Sequence, residues 1–393
     1  MVSERMKGLG TARSVIRELF EYGKLRAAQV GAENVFDFSL GNPSVPAPDA
    51  VNDTAIRLLQ EQSDLIHAYT SAQGAADARE RFADSLNRRY GSHYTAGQLY
   101  LTVGAAASLC CVFNGLACPG DEFIVFAPYF PEYKVFIEGA GAKMVLIPPE
   151  IEAFQIDFDA FQASLSPKTK GVLINSPNNP SGVVYSRATL ERLAGILTEK
   201  SREYGHPIYL ISDEPYREII YSGVDVPWGP HIYRDTIVCY SFSKSLSLPG
   251  ERIGYVLVPG DITDSGDVYA AVAGAGRSLG YVCAPSLFQQ VTSLCCDMTS
   301  DITVYETNRN LLVTSLREMG YHVVEPGGAF YLFPRTLESD DMAFSERAKQ
   351  LDLLVVPGSG FGAPGHVRIS YCVQTETIRR ALPKFKELAD FYK

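Results

Sequence analysis

Between Leu99 and Val258 the chain alternates short apolar, β-branched runs with stretches of helical spacing, and this alternation restricts the fold more than any other feature. Seven runs read as strands, at 99–103, 121–126, 142–147, 171–175, 207–212, 236–240 and 253–258. Helical candidates lie between them at 105–117, 131–139 and 187–204. Strands buried on both faces and separated by helices pair into a mostly parallel sheet covered on each side. The predicted class is α/β, built on a seven-stranded, mostly parallel sheet.

The texture changes after about residue 284. A helical region over 284–319, broken near 298–302, precedes short strands at 321–325, 329–333, 353–356 and 367–371. Helices near 342–351 and 375–391 complete an α+β pattern. A helix over 12–30 and a strand over 35–40, ending at Gly41-Asn42-Pro43, are expected to join it. A further helix covers 49–62. At 393 residues the chain is long enough for two domains. The expected division is a large domain over 46–289 and a smaller one from 1–45 and 290–393. A net charge of −10 argues against a nucleic-acid or anionic-membrane partner. The eight cysteines show no zinc spacing, the N-terminus has no apolar signal region, and no apolar run approaches about 20 residues. The expectation is a soluble, cytoplasmic, metal-free protein with reduced thiols. Gly274-Ala275-Gly276 and Gly139-Ala140-Gly141 do not give the G-x-G-x-x-G dinucleotide pattern.

In open parallel sheets ligands sit beyond the carboxyl ends of the strands, so the polar groups there decide the chemistry. The strand at 236–240 runs into Ser241-Phe242-Ser243-Lys244, with Arg252 eight residues beyond the lysine. A desolvated lysine loses part of its basicity and becomes a nucleophile towards carbonyls. Two hydroxyls and a guanidinium suit a phosphate. A carbonyl and a phosphate on one small molecule describe pyridoxal phosphate. By itself the stretch fits a solvated lysine or a structural Arg252 ion pair equally well. It also resembles the S-x-x-K of penicillin-binding enzymes, whose S-D-N partner motif is missing here.

Other strand ends add weight. Gly104-Ala105-Ala106 opens a helix whose N–H groups and dipole suit an anion. Phe130, with Tyr129 as understudy, offers an aromatic ring for stacking on a flat heterocycle. Asn179, in Asn178-Asn179-Pro180-Ser181-Gly182, can donate to a phenolate oxygen. Asp213 closes a buried strand, where an acid is costly unless paired, and can pair with a pyridine nitrogen. Tyr216 lies three residues on. Arg368 interrupts an apolar strand and needs an anion.

Taken together, these segments resemble the class I aminotransferases, the aspartate aminotransferase family. D-E-x-Y at 213–216, followed 31 residues after Asp213 by Lys244, and the Asn-Pro loop before them carry the resemblance over nearly the whole chain. It implies the fold type I architecture, pyridoxal 5′-phosphate as cofactor and a homodimer with shared active sites. Lys244, Asp213 and Tyr216 would be catalytic. Gly104, Ala105, Ala106, Phe130, Asn179, Ser241, Ser243 and Arg252 would bind the cofactor, with Tyr69 reaching the phosphate of the other subunit. Gly41, Asn179 and Arg368 would hold the substrate's α-carboxylate side, and Arg277 is a candidate for a second, distal carboxylate. The implied reaction moves an amino group from an L-amino acid, aspartate among the candidates, to a 2-oxo acid by a ping-pong course. The alternative on the same frame is a C–S β-lyase or a cyclopropane-carboxylate-forming synthase.

Overall fold

The computed structural model describes every residue except Met1 and Arg13. A seven-stranded sheet runs through its larger part: β1 (Leu99–Thr102), β2 (Glu122–Phe126), β3 (Lys143–Ile147), β4 (Thr169–Asn175), β5 (Tyr209–Asp213), β6 (Thr236–Ser241) and β7 (Gly254–Leu257). Their spatial order is β1-β7-β6-β5-β4-β2-β3. β2 to β6 pair in parallel, and β7 lies antiparallel to both β6 and β1.

Side-chain alternation along each strand feeds two cores. Phe123 and Val125 of β2 join Val112, Phe113 and Ile137 on one face, whereas Ile124 and Phe126 join Leu193 and Leu197 on the other. The helices used below are α1 (Glu4–Thr11), α2 (Val15–Val30), α3 (Ala105–Leu116), α4 (Glu132–Gly139), α5 (Arg187–Tyr204) and α6 (Ser265–Leu279). α5 starts where the Ser186 side chain accepts from the Thr189 N–H and stops at Gly205, whose φ is 76°. Both ends agree with the sequence reading.

Helix α6 is a feature the sequence reading did not assign; it weighed Gly274-Ala275-Gly276 only as a dinucleotide pattern. Small residues there let the helix approach its neighbours. A Cβ on Gly276 would meet the Tyr100 hydroxyl at 2.1 Å, and one on Gly115 of α3 would meet the Ala271 backbone at 3.0 Å.

The C-terminal region builds a three-stranded antiparallel sheet from Val356–Pro357, Val367–Ser370 and Tyr331–Leu332. Phe38, Tyr305, Phe330 and Ile369 form its core with helices Thr303–Glu318 and Thr375–Asp390. The N-terminal segment joins it where Phe36–Asp37 pairs with Leu353–Leu354.

Three expected elements need correction. The helix expected over 12–30 begins at Val15, capped by Ser14, and a separate α1 precedes it; Arg13 lies outside the described residues. The strand expected over 35–40 shrinks to Phe36–Asp37, because the Asp37 carboxylate captures the N–H and hydroxyl of Ser39 and turns the chain away. No strand forms at 321–325; a bond from the Arg335 N–H to the His322 carbonyl is the cross-link there, and Pro326 follows. Among the described residues, no helix is long and apolar enough to cross a membrane.

Candidate active site

The carboxyl ends of β4, β5 and β6 and the N-terminus of α3 meet the small sheet around a cavity of roughly 280 Å³. Its lining includes Gly41, Ala105, Ala106, Phe130, Asn179, Asp213, Tyr216, Ser241, Ser243, Lys244, Arg252 and Arg368. Nearly all of the residues singled out from the sequence, scattered over more than 300 positions, thus face one space.

Lys244 sits in the single helical turn Phe242–Ser245 that follows β6 directly. Its amine donates to the Gly41 carbonyl at 2.6 Å and lies 5.5 Å from the Phe330 ring centroid. Burial, opposed by the Cys372 thiol and aided by Arg368 and Arg252, lowers its pKa to about 8. Roughly a tenth of the amine is therefore free at pH 7, far more than for an ordinary lysine.

Asp213 closes β5 at 5% exposure. One carboxylate oxygen, Oδ2, accepts from the Tyr133 hydroxyl at 2.5 Å, while Oδ1 is buried without a partner. Burial raises its pKa to about 7, against the Tyr133 hydrogen bond and with the help of Glu214. The Asn175 amide, at the end of β4, donates to the Asp213 carbonyl at 2.9 Å.

Arg368 comes from the small sheet and is 2% exposed. It donates to Asn179 Oδ1 at 3.0 Å and to the Ser39 carbonyl at 2.5 Å, leaving Nε buried and unpaired. Burial pulls its pKa below the usual arginine value. With its amide oxygen on Arg368, Asn179 keeps its NH₂ free. The Tyr216 and Tyr331 hydroxyls lie 2.9 Å apart, and the Tyr331 ring centroid is 4.9 Å from the Arg368 guanidinium.

On the far side of the lysine, Gly104 caps α3 with φ 96°, and a Cβ there would meet Arg252 Nη2 at 2.8 Å. Arg252 itself holds φ 54° and donates to the Pro249 carbonyl. The Ser241 hydroxyl donates to that of Ser243 at 2.7 Å. First-turn N–H groups without intrahelical acceptors, two hydroxyls and a guanidinium thus converge.

Two expected residues are not brought into this cavity. Tyr69 is 98% exposed, and Arg277 lies exposed near the C-terminal end of α6. Conversely, Tyr133, Tyr331 and Asn175 line the cavity and were missed. Tyr133 stands one helical turn after Phe130, a spacing that was available in the sequence. Tyr331 sits in an apolar run that reads as core, whereas Asn175 stands at the polar end of the 171–175 strand, where Asn179 was singled out instead.

The family profile described as aminotransferase class I and II matches residues 33–385. The chain belongs to this family. It is 32% identical to the aspartate aminotransferase of Thermotoga maritima, over 98% of this chain and 99% of the other. Identity to the aspartate/prephenate aminotransferase of Thermus thermophilus is 31%, over 88% of each. A crystal structure of an aminotransferase from Eubacterium rectale superposes with a TM-score of 0.98 at 55% identity, covering 100% of this chain and 99% of that one. The protein is accordingly a fold type I, pyridoxal-phosphate-dependent aminotransferase that moves an amino group from an amino acid to a 2-oxo acid. These relatives carry aminotransferase names, which leaves the lyase alternative without support.

The aminotransferase cavity also fits its cofactor on its own evidence. Asp213 Oδ1 lacks a donor, which a ring N–H would supply. Gly104 keeps the phosphate end free of a side chain, and Lys244 presents an amine between the two.

Burial of Asp213 has a measurable consequence in the cofactor-free enzyme. Its folded pKa, about 7, lies above the ordinary 3.8, so the folded chain keeps a proton that the unfolded chain releases. This contribution to stability is therefore full below about pH 4 and is lost as pH rises through 7. Urea unfolding of the cofactor-free protein at pH 5 and pH 8 should show a loss that Asp213→Asn largely abolishes. An equal pH dependence in both proteins would mean that Asp213 is already ionised at pH 5.

Proposed function

We propose that catalysis divides among the cavity's residues as their positions suggest, the supporting observation being Asp213 Oδ1, Lys244 Nζ and Arg368 Nε gathered in one cavity with unfilled or exchangeable bonds. When bound, pyridoxal phosphate supplies an electrophilic carbonyl carbon and an electron-withdrawing ring. Lys244 would hold the cofactor through its amine, and the incoming amino acid's amine would take its place; the freed Lys244 amine would then take the proton from the amino acid's α-carbon and return it later. Asp213 keeps the ring nitrogen protonated. Asn179, through its free NH₂, and Tyr216, through its hydroxyl, hold the ring's 3-oxygen. Phe130 covers one ring face, and Ser241, Ser243, Arg252 and the first N–H groups at Gly104, Ala105 and Ala106 hold the phosphate. Arg368 grips the substrate's α-carboxylate, with Gly41 keeping the approach open. Amino donor and 2-oxo acid acceptor then use the same groups in turn, a ping-pong course.

Tyr69 and Arg277 are proposed to serve a second copy of the chain. The loop that carries Tyr69 is joined to the segment that follows α6, since the Cys283 thiol donates to the Thr70 carbonyl at 3.3 Å, and exposed Leu65 and Val282 lie in these two stretches. Such an exposed apolar rim suits a homodimer in which each Tyr69 reaches the partner's phosphate. The proposed division into a large domain, 46–289, and a small one, 1–45 with 290–393, and a cytoplasmic location complete this reading. Eight unpaired cysteines suit a reducing compartment.

Mixed dimers test the shared site. Tyr69→Phe and Lys244→Ala chains, co-expressed and purified by two tags, should yield one doubly damaged and one intact site per mixed dimer. About half of wild-type activity per dimer is expected, against almost none for Lys244→Ala alone. Mixed dimers no more active than the average of the two parents would place Tyr69 in its own subunit's site.

Arg277 bears on aspartate, which the curated relatives' names suggest as donor. If it reads the distal carboxylate, Arg277→Ala should lower kcat/KM for aspartate and glutamate by about 2–4 kcal/mol, the scale of a broken charge pair. Alanine and phenylalanine should be nearly unaffected. An equal loss for all four would make Arg277 structural.

A further inference from the structure

Resting on the reading of Asp213 as the partner of the ring nitrogen, we infer that Tyr133 is the positioning residue that aims Asp213. Tyr133 is the second residue of α4, its N–H bonded to the Phe130 carbonyl at 3.0 Å. It is 2% exposed, and its hydroxyl donates to Asp213 Oδ2 at 2.5 Å. That bond fills one oxygen of the carboxylate and leaves Oδ1 unpaired in the cavity wall. Asn175 adds a contact of 3.5 Å on the same oxygen, so both neighbours hold the same edge.

A carboxylate bonded on one oxygen alone cannot rotate about its last bond without giving up that bond. Tyr133 therefore sets which oxygen faces the ring nitrogen and in which plane. The hydroxyl also stabilises the ionised form, since it donates to a buried charge. Nothing in the geometry asks Tyr133 to touch substrate or cofactor chemistry. It acts through Asp213.

The same turn of chain couples two parts of the site. Phe130 and Tyr133 pack edge to face, with centroids 5.6 Å apart and planes at 83°. A shift of the Phe130 ring on the cofactor's face is thus transmitted to the hydroxyl that holds Asp213. Ring stacking and ring-nitrogen pairing depend on one short segment that enters α4.

Tyr133→Phe keeps the aromatic packing and removes the donor. Two quantities are to be measured in the holoenzyme, the rate of pyridoxal phosphate release into an apoenzyme trap and the kcat and KM for the amino donor. Release should quicken and kcat should fall by about tenfold each, the scale of a lost hydrogen bond to a charged group. KM for the amino donor should stay within about twofold. The same pair is then measured in an Asp213→Ala background, where Tyr133→Phe should change neither quantity by more than about twofold. A full loss in that background would show that Tyr133 only supports the fold, and release at the wild-type rate in the single variant would equally overturn the proposal. Should Tyr133→Phe fold poorly, 3-fluorotyrosine at 133, which keeps the shape and alters the donor's acidity, should still shift the release rate; an unchanged rate would overturn the proposal. Wild-type protein that fails to take up pyridoxal phosphate would refute the underlying reading of Asp213, a result distinct from a Tyr133 variant that binds and releases normally.

Discussion

Asp213 ends a strand buried on both faces with one oxygen bonded to Tyr133 and the other bonded to nothing. Leaving a buried carboxylate half-satisfied costs free energy, about 1–3 kcal/mol for the missing bond. Such a cost is tolerated where a ligand supplies what the fold withholds. The rest of the cavity is arranged around that deficit. Lys244 follows the neighbouring strand, with its basicity lowered by the same burial that raises the pKa of Asp213. One environment thus weakens the charged form of both groups, and a cofactor with a cationic ring nitrogen and a carbonyl carbon relieves both.

The site belongs to neither sheet alone. Lys244, Asp213 and the helix N-terminus at Gly104 come from the large sheet, and Arg368 and Tyr331 from the small one. Backbone bonds such as the Ala329 N–H to the Ile219 carbonyl and the Gly328 N–H to the Gly182 carbonyl join the two. Inside the cavity they also meet through side chains: the Lys244 amine on the Gly41 carbonyl, Arg368 on Asn179 and the Tyr216 hydroxyl beside that of Tyr331. Each of these side-chain bonds uses a group that substrate or cofactor would also claim. Binding therefore exchanges links between the two parts for links to the ligand, and the N-terminal segment around residues 39–41 takes part in that exchange.

Much of this was legible in the sequence because the sheet is buried on both faces. Continuous apolar runs made the strands of the large sheet visible within one or two residues, and their polar ends then named Asn179, Asp213 and Lys244. Where structure depends on a single tertiary contact, the sequence was silent. The strand at 35–40 stops at Asp37 because of one side-chain bond to Ser39. The glycines of α6 were weighed only as a dinucleotide pattern, although Gly276 serves close packing against Tyr100. Tyr331 was unreadable for a related reason: a tyrosine in an apolar run has the same local pattern whether its hydroxyl faces a catalytic cavity or merely a backbone carbonyl.

The central claim is that Lys244 carries the cofactor, and one measurement addresses it directly. Holoenzyme reduced with borohydride, digested and sequenced by mass spectrometry should carry the phosphopyridoxyl mass on the peptide containing Ser241-Phe242-Ser243-Lys244, on Lys244 itself. Label on a different lysine, or none on a protein that retains its visible absorbance until reduction, would contradict the account.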